Sequence, residues 1–316
     1  MSTKASAPAK VILLGEHAAV YKNPALVATV DLRTEVTVKK RGDERFMLTN
    51  ESTGVKGLEF TFTDIPRLKG EWGALLTMEA IERVYSSLGI DEKTGLDIEL
   101  TSQAPVSSGL GSSASAASAL ALAVSGEMGQ ELDKKEIARI SWDIENIVHK
   151  KSSGVDPFAV TFGGVIRYQA GEFKKIDVVE YPKITIGDTG VVSDTGDVVM
   201  DVMALKENFP KFFDEYLKMM VDIVDYGQVF LKQGDMRGFG QIMDINHGLL
   251  SAIGVSSPEL DQLVWAARKN SFGAKLCGAG RGGIMIALGD VGGEIEEAGG
   301  RVIKTRICDE GVRLEK

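Results

Sequence analysis

Pro105-Val106-Ser107-Ser108-Gly109-Leu110-Gly111-Ser112-Ser113-Ala114-Ser115-Ala116 decides how this chain folds. Gly109 and Gly111 let the backbone turn with its amides facing inward. The Ala, Ser, Leu and Val residues over 114–124 predict a helix small enough to lie close against a sheet. Inward amides at a helix N-terminus suit a phosphate. The run lacks a Gly-Lys-Ser/Thr, so it is not a Walker loop, and the same residues also fit an ordinary strand-to-helix turn. On its N-terminal side, Leu96-Asp97-Ile98-Glu99-Leu100 alternates apolar and polar and predicts a strand.

Farther upstream, residues 10–14 form a short apolar strand followed by Gly15-Glu16-His17. Residues 26–30 and 34–39 read as two more strands, and 46–48 and 60–63 as weaker ones. A helix over 72–88 is stopped by Gly89. Downstream, Asp133 and Glu136 make a capping box for a helix over 134–150, with Ile137, Ile140, Ile144, Ile147 and Val148 as its apolar stripe. Residues 160–168, with Gly163-Gly164, read as paired strands. Near residue 178 the pattern restarts with the strand and turn Ile184-Thr185-Ile186-Gly187-Asp188-Thr189-Gly190. Helical stretches over 200–233, 236–251 and 258–270 follow, then a second glycine cluster, Gly278 to Gly283, between two strands. A last strand falls within 300–308. The restart predicts two domains, 1–178 and 179–316.

A length of 316 residues, with 44% hydrophobic and 26% charged residues, suits a globular chain with one large core or two moderate ones. No apolar run reaches the ~18 residues of a membrane span, and the first ten residues have no apolar signal core. Cys277 and Cys308 alone give neither a disulfide framework nor a zinc spacing, which fits a reducing cytoplasm. The net charge of −9 argues against a nucleic-acid partner. It leaves an anionic small molecule open, because a phosphate pocket needs only a few local donors and a cation.

The candidate chemistry lies in a few side chains. Glu145 shares a helical face with Ser141 and His149, a pattern that a solvated face also produces. Asp156 follows the polar run Ser152-Ser153-Gly154-Val155, where an aspartate often only forms a turn. Lys10, Glu16 and His17 bracket the first apolar strand and also fit strand ends in water. His247 reads as structural.

Three segments in this order resemble the signature motifs of the GHMP kinases: residues 8–21 (Pro-Ala-Lys-Val-Ile-Leu-Leu-Gly-Glu-His-Ala-Ala-Val-Tyr), residues 105–116, and residues 275–283. Glu145-Asn146-Ile147-Val148-His149 followed by Ser153-Gly154-Val155-Asp156 is similar to the catalytic segment of that family. The resemblance implies an α+β two-domain fold, with a ribosomal protein S5-like N-terminal domain containing a left-handed βαβ unit and a ferredoxin-like C-terminal domain. It implies transfer of the γ-phosphoryl group of ATP, with Mg²⁺, to a hydroxyl of mevalonate, in a cytoplasmic homodimer. Asp156 would orient or deprotonate the hydroxyl, with Lys10 beside it. Pro105, Ser108, Gly109, Leu110, Gly111, Ser112, Ser113 and Ala114 would cradle the nucleotide, and Ser113 and Glu145 would hold Mg²⁺. Glu16, His17, Thr195, Gly278 and Ala279 would border the acceptor.

The chain departs from the family pattern at Ala9, at Arg281 in the second glycine cluster, at Lys150-Lys151, and at Gly196 after Thr195, where relatives often carry Lys. One expectation is that Lys150, Lys151 or Arg281 supplies the cation missing at Gly196. Two alternatives accompany this reading: a kinase for a phosphorylated mevalonate or another small hydroxylated acceptor, and a non-catalytic ligand-binding regulator of the same fold.

Overall fold

Two sheets carry the chain in the computed structural model, which describes residues 2–64, 72–90, 94–105, 108–149 and 152–316. The first holds β1 (Thr3–Leu14), β2 (Ala25–Lys40), β3 (Phe46–Asn50), β4 (Val55–Phe60), β5 (Leu96–Ser102), β6 (Val165–Gln169) and β7 (Glu172–Lys175). The second holds β8 (Ile184–Asp188), β9 (Ala274–Cys277), β10 (Ile284–Leu288) and β11 (Arg301–Ile303), in the order β11-β8-β10-β9. The C-terminal β12 (Arg313–Leu314) returns to the first sheet, whose order is β12-β1-β2-β5-β3-β4, with β6 on β2 and β7 on β6. Helices α1 (Trp72–Leu88), α2 (Ser112–Glu127), α3 (Lys134–His149) and α4 (Val155–Phe162) accompany the first sheet. The second half of the chain adds α5 (Thr195–Asn208), α6 (Pro210–Gln233), α7 (Met236–Ala252), α8 (Pro258–Arg268) and α9 (Gly292–Glu297), of which α6 packs on β1 and β2 and α8 on β9 and β10. No helix among the described residues is long and apolar enough to cross a membrane.

The small-residue helix behaves as its composition requires. Every residue of α2 from Ala114 to Ser125 is buried, and α2 packs on β1 and β2 with α1, α3 and α4 around it. A helix enclosed on all sides needs no polar stripe. Ser115 Oγ bonds Pro8 O of β1 at 2.7 Å, and the Ser118 and Thr161 hydroxyls pair at 3.1 Å, so these two buried hydroxyls of α2 find partners without opening the packing.

Several boundaries differ from the sequence reading, each for a local reason. Residues 26–30 and 34–39 belong to one strand, because the polar interruption is spanned by a register shift opposite Pro8/Ala9. Arg33 is buried there, donating to Ser6 Oγ at 2.6 Å and to Gly311 O at 2.8 Å. Residues 155–162 are helical. Pro157 sits in the first turn, where a missing N–H costs nothing, and the turn to β6 comes only at Gly163 and Gly164. The long stretch 200–233 divides at Phe209-Pro210, since a proline cannot continue the preceding helix. Within 300–308 only Arg301–Ile303 forms a strand, and Ile307 bridges back to Val30.

The two sheets share a core. Val11, Leu13 and Leu26 of the first sheet lie in one buried cluster with Phe213 and Tyr216 of α6 and Ile284 of β10. A second cluster, with Val36, Phe46, Ile81, Ile98 and Leu120, sits under α1 and α2. The shared core holds β1 against the second half, and β1 carries the first of the candidate residues.

Candidate active site

The site is built on the edge of β1. Beyond its short pairing with β12 at Ala5 and Ser6, outward amides of β1 find other partners. Lys10 N donates to Leu110 O at 2.9 Å. Ile12 N donates to Cys277 Sγ at 3.3 Å. Both glycine segments thereby dock on one strand edge and face each other. A Cβ on Gly278 would stand 3.9 Å from the Gly109 Cα, and one on Gly283 would stand 3.7 Å from Ser108 O. Gly109 and Gly111 adopt φ of 79° and 74°, where glycine is at ease and other residues are strained. Ser108 Oγ closes the loop on Pro105 O at 2.7 Å, and Ser112 opens α2. Val106 and Ser107 lie outside the described residues.

Lys10 follows the register shift at Pro8/Ala9, the kind of irregularity that re-aims a side chain. Its Nζ meets Asp156 Oδ1 at 3.1 Å and donates to Gly109 O at 3.0 Å. The lysine side chain is 4% exposed and the aspartate 25%, so the carboxylate is the member of the pair open to a ligand. Burial alone would lower the Lys10 pKa, but Asp156, with Cys277 and Glu145, lifts it above its ordinary value and keeps the ammonium charged. A Cβ on Gly111 would stand 2.9 Å from Lys10 Cγ and 3.3 Å from Asp156 Oδ2, so the loop backbone lies directly against the pair.

Asp156 is in the first turn of α4, and a tight polar corner sets its position. Gly154 has φ of 82°, and a Cβ there would stand 2.4 Å from Tyr168 Oη and 2.7 Å from Trp142 Cε2. Tyr168 Oη donates to Ser153 O at 2.5 Å, and Trp142 Nε1 donates to Ser152 O at 3.3 Å. Gly154→Ala is therefore expected to lower stability by about 1–3 kcal/mol, from overpacking and a left-handed φ, and to reduce turnover by moving Asp156. Thermal melting and kcat measured together check this. A variant matching wild type in both would show that the corner does not hold Asp156.

Glu145 lies on the buried face of α3, not on a solvated one. It is 6% exposed, and Ser141, one turn earlier, is fully buried and donates to Ala114 O at 3.3 Å, fixing α3 to the start of α2. Ser152 Oγ donates to Glu145 Oε2 at 2.6 Å. Burial first, and Asp156 second, push the Glu145 carboxyl up to about 8. Ser113 Oγ is buried without a hydrogen-bond partner among the described residues. A buried hydroxyl and a buried carboxyl are oxygen donors of the kind Mg²⁺ takes alongside phosphate and water. The residues present fit the ion.

Glu16 and His17 divide. Glu16 is 1% exposed and pairs with Lys275, which is fully buried. Lys275 Nζ also donates to Leu276 O at 2.7 Å. Burial raises the Glu16 pKa, and Lys275 pulls it back. Its Oε2 has no hydrogen-bond partner among the described residues. His17 Nε2 contacts Ala279 O at 2.9 Å, and burial lowers its pKa. Thr195 is exposed at the first residue of α5. The segment before it reaches the second glycine cluster through Ser193 Oγ, which donates to Gly280 O at 2.5 Å. His247 is structural in its contacts: its Nδ1 accepts from Leu276 N at 3.2 Å, which leaves Nε2 to donate to Asp261 at 3.1 Å.

Sequence reasoning gave no role to Lys275, Ser152 or Cys277. A lone lysine in the apolar strand Ala274–Cys277 was a readable signal, since a charge there needs a buried partner. Nothing in the sequence marks Ser152 as the neighbour of Glu145. Lys150 and Lys151 lie outside the described residues.

Two family descriptions match this chain, GHMP kinases N terminal domain over residues 75–164 and GHMP kinases C terminal over 228–305. It is 38% identical to a mevalonate kinase of Thermococcus sibiricus, covering 100% of this chain and 99% of that one. It is 39% identical to one of Pyrococcus abyssi, covering 99% and 97%. Among solved structures, the mevalonate kinase of Methanococcus jannaschii superposes with a TM-score of 0.84 at 29% identity, covering 96% of this chain and 98% of that one. The L. major mevalonate kinase in complex with R-mevalonate gives 0.81 at 27% identity, covering 98% and 96%.

Proposed function

This chain belongs to the GHMP kinases, with mevalonate kinases as its full-length relatives, and we propose that its site moves the γ-phosphoryl group of ATP onto a hydroxyl of mevalonate, giving 5-phosphomevalonate for isoprenoid synthesis. The observation that carries this reading is the Lys10–Asp156 pair, 3.1 Å apart against the glycine loop. Phosphoryl transfer asks mainly for positioning and charge stabilisation, and this arrangement supplies both.

Asp156 accepts the proton of the acceptor hydroxyl as its oxygen attacks the γ-phosphorus. The bond from that phosphorus to the β-phosphate bridging oxygen breaks, and ADP leaves. Lys10 pairs with Asp156 and stabilises negative charge on the attacking oxygen. The amides of the 108–113 loop and the N-terminus of α2 favour the phosphates. Ser113 and Glu145 would hold Mg²⁺, which supplies charge neutralisation on the nucleotide. His17, Gly278, Ala279 and Thr195 border the acceptor in this proposal. Glu16 acts there from behind, through Lys275. The reading carries with it a cytoplasmic homodimer and a division near residue 178.

An ATP-consumption assay over mevalonate, phosphomevalonate, homoserine and a sugar tests the acceptor. Mevalonate is expected to be preferred. Preference for phosphomevalonate would change the substrate and keep the kinase, and no ATP consumption with any acceptor would leave a ligand-binding regulator. The metal assignment is tested separately. Glu145→Gln is expected to raise the Mg²⁺ needed for half-maximal rate by about tenfold or more, and Ser113→Ala by less, because a charged oxygen contributes more to a hard cation than a neutral one. Rates that added Mg²⁺ does not rescue in either variant would contradict it.

A further inference from the structure

Position 281 is the place where the second glycine cluster carries an arginine. Its backbone has φ of 56°, a left-handed conformation that glycine adopts freely and arginine does not. Three attachments hold the residue there, one from its backbone and two from its side chain. Arg281 N donates to Val255 O at 2.8 Å, and Nε donates to Gly254 O at 3.1 Å, both in the turn between α7 and α8. Its guanidinium pairs with Asp201, two turns into α5. The entrance to α5 is already bonded to the same cluster, since Gly283 N donates to Val191 O at 2.8 Å and Ser193 Oγ bonds Gly280 O. The neighbouring Ala279 O is the partner of His17.

We propose that Arg281 is a positioning residue for the acceptor side of the site: it clamps α5 to the second glycine cluster and so fixes where Thr195, at the head of α5, stands relative to the phosphate loop. In naming the acceptor this rests on the function proposed above. The clamp also accounts for Arg281 without placing it on the phosphates. Its Nη1 is committed to Asp201 of α5 and its Nε to Gly254 O.

Three variants test this. Arg281→Gly suits the backbone, so it folds. It is expected to raise the KM for mevalonate about three- to tenfold, the scale of one exposed ion pair and one hydrogen bond, while the KM for ATP stays within about twofold. The swap Asp201→Arg with Arg281→Asp is expected to restore most of the acceptor KM lost in Arg281→Asp alone. Hydrogen exchange reads the clamp without turnover: amides in the first two turns of α5 should exchange about threefold faster in Arg281→Gly than in wild type. A raised KM for ATP with an unchanged acceptor KM would overturn the proposal and put Arg281 on the phosphates. Unchanged α5 exchange, or a swap that recovers nothing, would overturn it as well. A wild-type enzyme that does not turn over mevalonate would sink the proposed function instead, and the exchange measurement would still decide the clamp.

Discussion

Asp156→Asn is expected to lower kcat by at least about 100-fold while ATP affinity stays within about twofold. The carboxylate is the exposed member of the Lys10–Asp156 pair, 25% against 4%, so it is the group an acceptor hydroxyl can reach. An amide of the same shape keeps the packing against Gly111 and loses the base. It also removes the main influence that raises the Lys10 pKa against the burial that lowers it, and with it the charge that holds the ammonium in place. The loss therefore falls on the chemical step and not on nucleotide binding, which the proposed function assigns to backbone amides of the loop. Steady-state kinetics and nucleotide titration on the same preparation check the split. A variant keeping a tenth or more of the wild-type kcat would remove Asp156 from the mechanism.

The second large effect is on stability. Lys275→Met is expected to destabilise the protein by about 3–5 kcal/mol, because it leaves Glu16 buried without its counter-charge. At roughly 2–4 °C per kcal/mol for a sizeable domain, melting should fall by about 6–20 °C. Pairing the change with Glu16→Gln should recover much of the loss, since removing both charges leaves no uncompensated ion. The pH dependence has a definite sign. A carboxyl whose folded pKa is raised binds more protons folded than unfolded, so stability falls as pH rises from the ordinary glutamate range towards the folded value. The single variant should therefore lose least near pH 5. A Lys275→Met protein that melts within about 2 °C of wild type at pH 8 would show that the pair does not hold the two halves in register.

Much of this was legible before the structure. The glycine loop at 108–111, its small-residue helix and the second glycine cluster are local patterns, and local patterns survive into the fold because backbone freedom and side-chain volume act within a few residues. Glu145 is different. Its helical spacing equally fits a solvated face, and only the packing of α3 onto α2, fixed by Ser141 at Ala114 O, buries it. Lys275 and Glu16 are 259 residues apart in sequence, so no window along the chain could pair them. The turn expected at Asp156 is the start of a helix, because Pro157 suits a first turn as well as a loop.

The central claim is that the Lys10–Asp156 pair transfers phosphoryl from ATP to mevalonate. Phosphorus NMR of a reaction containing the protein, ATP, Mg²⁺ and mevalonate follows that transfer directly. The account predicts one phosphomonoester of mevalonate for each ADP formed, with Asp156→Asn giving neither on the same timescale. ADP appearing with inorganic phosphate and no mevalonate ester, or an equal yield of ester from Asp156→Asn, would contradict it.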